Sequence, residues 1–378
     1  MRLLLSGPLP ADAHYLTDHP ERPARIEAVR AALTDLRLGS QLQVVSHRRA
    51  ERFELELAHD RHYLDDLERF CRQGGGLLDP DTFATHGSWV AACDAAGAGL
   101  GAIQALIVGN SENGRSQGPE GFLEPEPSPA SGRPEASALL EPSIAFVVAR
   151  PPGHHAESGR AMGFCLVNSV AVAAAFLAER GERVLIVDWD VHHGNGTQSI
   201  FWDDPRVLYV SLHQWPLYPG TGAAGETGGP SAPGLTVNMP LPPKSTGDVA
   251  RRCLEEIAMP VVERFAPTWV LVSAGYDAHR DDPLSDMGLS AGDYAGLAKV
   301  VASMAPLRDR LVFFLEGGYQ LSSLRRSVRA TMAALLDSGT ERSAGAYERD
   351  EGPTSGGGGA ESAELVASIR RDRKGSSS

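Results

Sequence analysis

Val184-Leu-Ile-Val187-Asp188-Trp-Asp190-Val-His192-His193-Gly-Asn195-Gly196 is the stretch on which the reading of the fold turns. Its first four residues are apolar without a break and mostly β-branched. They are too few for a helix and lack the alternation of a half-exposed strand. Such a run reads as a strand covered on both faces, which is the habit of a parallel sheet. The polar cluster that follows at once then marks the carboxyl end of that strand. Working outward, Ile144–Ala149, Val207–Val210, Trp269–Val272 and Leu311–Leu315 repeat the same short apolar pattern. Helical blocks at Val167–Arg180, Val249–Phe265 and Ala291–Met304 fall between several of them. This rhythm predicts an α/β protein: an open, mostly parallel central sheet with helices on both faces, in a single domain. The N-terminal blocks Arg22–Leu36, Glu51–Cys71 and Ser88–Leu106 read as helices that wrap the sheet.

The 378 residues include 41 glycines and 26 prolines, with 35 Lys+Arg against 48 Asp+Glu and a net charge of −13. That acidity argues against a protein whose main business is gripping phosphate backbones, so no direct nucleic-acid partner is expected. Much of the glycine and proline falls in two stretches. Residues 109–142, with PEPSPASGRPE at their centre, read as a disordered insertion, and 339–378 as a disordered tail holding at most a weak helix over Ala360–Arg371. The catalytic unit is therefore expected within 1–338. The four cysteines (Cys71, Cys93, Cys165, Cys253) form no close pair, which suits a reducing compartment, and the expectation is a cytoplasmic protein. Val90–Val108 is apolar but made largely of Ala and Gly, so it reads as a close-packed core helix rather than a membrane span.

In an open α/β sheet, ligands bind beyond the carboxyl ends of the strands. Five apolar runs here lead into chemistry-bearing residues: Arg150-Pro-Pro-Gly-His154-His155; the Asp188 to Gly196 cluster; Ser211-Leu212-His213 with Tyr218-Pro-Gly-Thr-Gly; Gly275-Tyr276-Asp277 with Asp281-Asp282-Pro-Leu284; and Glu316-Gly-Gly-Tyr319. Asp190, His192 and the remote Asp277 would make one imidazole and two carboxylates with positions left open, as hydrolytic zinc requires. The same oxygen-rich set would accept Fe(II) or Co(II). His154 and His155 lie in a Pro-Gly-framed loop and suit acid/base work near neutral pH. Asp188 and Asn195 are available as their partners; a carboxylate raises imidazole basicity and an amide does not, so the two can be tuned apart. Tyr319, after twin glycines, could donate to a developing oxyanion. Phe164, beside Gly163, and Tyr218 either wall a narrow passage or simply pack in the core.

Taken together, RPPGHHA, GFC-x-x-N, D-x-D-x-HHGNGTQ, SLH with YPGTG, GYDAHRDDPL and LEGGY resemble the histone deacetylase family in its broad sense, which includes acetylpolyamine amidohydrolases. HPERPARIEAV (His19–Val29) and AHDRHYLDDL (Ala58–Leu67) are similar to that family's N-terminal region. The resemblance spans roughly 14–338 apart from 109–142, and Asn195 and Glu316 look like class II members and their bacterial relatives. It implies the arginase/deacetylase-like α/β fold, with Asp190, His192 and Asp277 as Zn2+ ligands. His154 and His155 would be the tandem catalytic pair, the second being the main base. Asp188 would orient His154 and, with His192, Ser211 and Leu212, hold a K+ ion largely through backbone oxygens. Tyr319 would polarise the scissile carbonyl. Gly163, Phe164, Tyr218 and Leu284 would line the acyl-lysine tunnel, Tyr218 standing where Phe is more usual.

The implied reaction is hydrolysis of an N-acyl amide on an aliphatic amine, releasing acetate. Two substrate classes fit: acylated lysine in a protein or peptide, and small acylated amines such as acetylpolyamines. Leu284 stands where an acidic gatekeeper would favour polyamines, which weighs toward the first. A non-catalytic scaffold keeping the fold would have lost a ligand, a catalytic histidine or the tyrosine, and none is missing. The pattern leaves oligomeric state open, and no membrane partner is expected.

Overall fold

The computed structural model describes residues 1–9, 11–112, 143–336, 351–356 and 359–375. Its first half runs β1 (Arg2–Leu9), α1 (Ala24–Asp35), β2 (Leu42–Val45), α2 (Arg52–Leu55), α3 (Arg61–Arg72), a small hairpin of β3 (Gly75–Leu77) and β4 (Phe83–Thr85), then α4 (Ser88–Glu112). The second half alternates more regularly: β5 (Ser143–Ala149), α5 (Ser169–Ala178), β6 (Val184–Asp188), α6 (Asn195–Ile200), β7 (Val207–Gln214), β8 (Thr236–Leu241) and α7 (Gly247–Cys253). A π turn (Leu254–Ala258) joins α7 to α8 (Met259–Phe265); β9 (Trp269–Ala274), α9 (Ala291–Met304), β10 (Leu311–Leu315), α10 (Leu321–Leu336) and α11 (Gly359–Gly375) follow. Eight strands form one sheet in the order β2-β1-β5-β10-β9-β6-β7-β8, and every pairing in it is parallel.

Alternate residues of the central strands feed two cores. Leu185, Val187, Phe146 and Val272 join α1 and α7 to α11 on one face. Val184, Ile186, Val147 and Leu271 join α3, α4 and α5 on the other. Burial on both faces is why these runs are unbroken in sequence. The Ala- and Gly-rich α4 packs against β1, β5 and α5. It is long and apolar enough to cross a membrane, yet two thirds of that stretch is buried within the fold. Its small residues serve contact: a Cβ on Gly97 would lie 1.9 Å from the Arg48 carbonyl, and one on Gly99 would lie 2.5 Å from the Phe314 ring.

Three expectations need correction. The N-terminal region is not only a helical wrap, since it supplies β1 and β2. Leu3-Leu4-Leu5 is a short run halted by Ser6-Gly7-Pro8, and Leu42–Val45 is a half-exposed edge strand, so neither carries the buried-strand signature. Pairing with β5 on one side and β2 on the other makes β1 a strand. Second, α4 continues through Glu112, into the start of the expected insertion; the rest of 109–142 lies outside the described residues. Third, the expected disordered tail contains packed structure. Glu351 is buried, and α11 places Val366 and Ile369 in the core beside α7. Its apolar stripe is three residues long (Leu365, Val366, Ile369), so the sequence signals only a weak helix over Ala360–Arg371, where the structure has one over Gly359–Gly375. Docking supplies what propensity lacks.

Candidate active site

The loops leaving β5, β6, β7, β9 and β10 converge at one edge of the sheet. Register sets the arrangement: Asp188, the last residue of β6, pairs with Ser211 on one side and Ser273 on the other. Beyond it the chain leaves the sheet and brings Asp190 and His192 against Asp277. One donor atom from each of these three lies within 4.8 Å of the others. His192 Nδ1 is 3.1 Å from Asp190 Oδ1 and 3.2 Å from Asp277 Oδ2. Backbone groups hold the carboxylates from behind: Gly317 N–H donates to Asp190 Oδ2 (2.7 Å) and Val191 N–H to Asp277 Oδ1 (3.0 Å).

Asp277 Oδ2 is the telling atom. It is buried, with His192 Nδ1 at 3.2 Å as its facing group and no hydrogen bond of good geometry, which is costly for a carboxylate oxygen unless positive charge, on His192 or on a bound cation, faces it. Burial works against charge on His192, yet the two carboxylates outweigh it and push its pKa up to about 10. The pocket therefore favours positive charge. The space between the carboxylates is kept by glycine, because a Cβ on Gly317 would sit 2.0 Å from Asp277 Oδ2 and 2.5 Å from Asp190 Oδ2. Two carboxylates and one imidazole in such a cradle fit a divalent cation such as zinc.

His154 and His155 lie side by side next to this cluster, their ring centroids 4.1 Å apart and their planes tilted by 43°. His154 Nδ1 is 3.1 Å from Asp188 Oδ2, and its Nε2 is 3.8 Å from Asp190 Oδ1. Burial lowers its pKa, but Asp190 and Asp188 overcome that and raise it to about 10. His155 goes the other way: burial, then the neighbouring His154 and His192, hold it well below the usual imidazole value. Its Nδ1 lies 2.8 Å from Asn195 Oδ1. The Asn195 amide donates to Glu157 Oε1 at 2.8 Å, so its oxygen faces His155. The proton of neutral His155 therefore sits on Nδ1, leaving the Nε2 lone pair free. Glu157, which the sequence reading passed over, thus sets the tautomer.

Tyr319 is almost buried, and its ring meets Phe164 edge-on at 5.7 Å. Burial keeps its phenol well above the ordinary pKa, hence protonated and able to donate. Asp282 Oδ2 accepts the N–H groups of Tyr319 (2.7 Å) and Gln320 (3.0 Å). From the other side Arg25 donates to the carbonyls of Gly318 (2.7 Å) and Glu316 and lies 5.0 Å over the Tyr319 ring. Arg25 is itself held by buried Glu21 (3.1 Å), which also binds Arg150 at 2.5 Å. Glu21, Arg25, Arg150 and Asp282 were not read as site residues. The HPERPARIEAV block was the signal for the first two, but it does not say what they touch.

Gly163 and Phe164 both have positive φ (54° and 68°) and make the tight turn between Met162 and Cys165. The turn lays Gly163 on the His155 ring, where a Cβ would come within 2.4 Å, and holds Phe164 at the mouth. Tyr218 meets His155 edge-on at 5.2 Å. Burial, with nearby Asp81 and Asp79, holds its hydroxyl well above the usual phenol range, so it is neutral. Leu284 is half-buried on the loop that carries Asp277 and Asp282, its N–H bonded to Asp282 Oδ1. Ser211 sits opposite Asp188, but its hydroxyl bonds His213 Nδ1 (2.9 Å). Leu212 is the next residue along β7.

A profile of the histone deacetylase domain matches residues 19–335. The chain belongs to the histone deacetylase family. It is 36% identical over 344 residues to histone deacetylase 10, chloroplastic, of Oryza sativa, covering 86% of this chain and 72% of that one. It is 33% identical over 338 residues to the histone deacetylase-like amidohydrolase of Pseudomonas aeruginosa, covering 84% and 81%. The crystal structure of the HDA15 HD domain superimposes with a TM-score of 0.80 at 29% identity, covering 99% of this chain and 96% of that one. This family member is accordingly a hydrolase that acts on amide bonds, built on a histone deacetylase fold.

Proposed function

We propose that this deacetylase-family chain is a zinc-dependent amidohydrolase that removes acetyl, or longer acyl, groups from the side-chain amine of lysine in proteins or peptides. One observation carries the reading. Two adjacent imidazoles, one charged by Asp190 and Asp188 and the other kept neutral by burial and its cationic neighbours, stand beside a three-donor carboxylate–imidazole cluster, with a neutral tyrosine on the neighbouring loop. Asp190, His192 and Asp277 would hold the cation, which when bound supplies Lewis acidity and lowers the pKa of water.

The rest is done by the chain. His155, neutral with its Nε2 lone pair free, takes a proton from the attacking water. His154, kept protonated by Asp188, is placed to give one to the departing amine. Tyr319 donates its O–H to the carbonyl oxygen as charge develops there. Phe164 and Tyr218 flank the path an alkyl chain would take. Water adds across the amide, yielding a carboxylate and a free amine. We also assign Asp188, Ser211 and Leu212, with His192, to a structural K+ site. The unpaired, buried Cys71, Cys93, Cys165 and Cys253 support a reducing compartment, read as the cytoplasm.

The test is acetate release from acetyl-lysine peptides, longer acyl-lysines and acetylpolyamines, with and without chelator. Acetyl-lysine turnover abolished by chelation, and lowered about 10²- to 10³-fold by Tyr319→Phe, is the expected outcome. Activity that survives both treatments would overturn the mechanism. A preference for acetylpolyamines by orders of magnitude would replace the lysine substrate with a small acylated amine.

A further inference from the structure

Beyond α10 the chain returns to the catalytic edge as a short segment, Glu351–Gly356, before α11. Glu351 is buried there, and its carboxylate is a junction. Oε2 lies 3.2 Å from His279 Nε2 and accepts the N–H of Ala291, the first residue of α9, at 3.1 Å. Oε1 lies 2.9 Å from Arg326 Nε on α10. The His279 tautomer is set from its other nitrogen, because Asp281 N–H donates to Nδ1 at 3.1 Å, leaving the proton on Nε2 for Glu351. Backbone contacts fasten the same segment: Gly292 N–H donates to the Glu351 carbonyl (2.9 Å) and Ser290 Oγ to that of Gly352 (2.8 Å). Thr354 bonds Asp293.

The groups that Glu351 gathers lie on the loop after β9 or on the two helices, α9 and α10, into which the site loops lead. His279 is two residues from Asp277, and Ala291 ends the same loop on its far side. Between them, Ser285 Oγ donates to the Asp277 carbonyl (2.5 Å), and Asp282 holds the Tyr319 backbone. Arg326 stands on the helix that begins just after Tyr319, and it also pairs with Asp281 at 2.9 Å. We propose that Glu351 is a positioning residue of the reaction, its carboxylate clamping the Asp277–Ser290 loop so that Asp277 and the Tyr319 backbone stay in register. Glu351 then serves the catalytic apparatus, while the rest of the segment fastens it in place. The proposal rests on the metal-dependent amidohydrolase reading above.

The experiment compares full-length Glu351→Ala, Glu351→Asp and Glu351→Gln with Thr354→Val, a change on the same segment that leaves the carboxylate in place. Zn2+ affinity is read by competition with a chromogenic chelator in the absence of substrate. Turnover of an acetyl-lysine peptide and the thermal midpoint are measured alongside. Glu351→Ala is expected to weaken Zn2+ binding about 10-fold and to lower kcat by a similar factor, with KM changed less than about twofold. Glu351→Gln, which keeps an acceptor for His279 and Ala291, recovers most of both. Thr354→Val lowers Tm and leaves zinc affinity and kcat at parental values. Should Glu351→Ala not fold, Glu351→Asp, charged but one methylene short, is held to the same criterion. Glu351 variants that melt earlier yet bind zinc and turn over like the parent would overturn the proposal. Because zinc affinity is read without substrate, a chain inactive on every acyl amine would defeat the functional reading while this comparison still decides the role of Glu351.

Discussion

At the scale of single residues, the site depends as much on what is missing from side chains as on what is present. Gly317 closes the back of the carboxylate pair through its N–H, and no other residue fits there. A Cβ at that position would lie 2.0 Å from Asp277 Oδ2 and 2.5 Å from Asp190 Oδ2, the oxygens of two residues that would hold a cation. Gly317→Ala is therefore expected to purify with little bound zinc and at least about 100-fold lower turnover, while unfolding cooperatively. Metal content by elemental analysis checks it; stoichiometric zinc in the variant would refute the cradle. The tuning of the histidines is equally local. Asp190 and Asp188 hold His154 charged, while His155, buried beside that charge and against His192 with only an amide partner, stays neutral.

Among elements, the decisive link is between α1 and the loop after β10. Arg25 reaches nearly 300 positions along the chain to bind the Gly318 and Glu316 carbonyls, while Glu21 binds both Arg25 and Arg150. All three side chains are buried. Removing one member leaves Glu21 half-compensated in a dry environment, and breaking such a pair costs about 3–5 kcal/mol. Arg25→Ala should lower the urea midpoint accordingly and reduce kcat more than it changes KM, because the Tyr319 backbone loses one of its two supports. Denaturant titration and steady-state kinetics on the same preparation test both halves. Arg25→Lys rescues neither fully, since an ammonium cannot reproduce the forked grip on two carbonyls.

For the molecule as a whole, pH acts through buried neutral histidines outside the catalytic cluster. His59 ties the α3 region to the active-site loops, bonding the Glu157 carbonyl (2.9 Å) and accepting Asn168 N–H (2.9 Å). Burial lowers its pKa from 6.5 to about 4, and His193 is lowered likewise to about 4. The unfolded chain then binds more protons than the native one between these values. Stability is full above about pH 6.5 and falls as pH drops toward 4, by on the order of 3 kcal/mol for His59. Urea midpoints measured from pH 7.5 to 4.5 should show this decline, and His59→Gln should flatten it. A slope identical to that of the parent would exclude His59 as a source.

What the sequence determined by itself was whatever is encoded contiguously. Central strands covered on both faces must be unbroken apolar runs, so β5, β6, β7, β9 and β10 were legible, as were the residues that follow them. Asp190, His192, His154, His155, Asp277 and Tyr319 were legible because few side chains can do their chemistry. Contacts made across the chain decided the rest. Leu3–Leu5 became a strand only between β2 and β5, and Val366 and Ile369 became core only against α7. Arg25, Glu157, Asp282 and Glu351 matter for what they touch at long sequence separation, and a charged residue carries no local mark of the partner that offsets its burial. Local physics wrote the strands and the reactive groups; only tertiary packing aligned them.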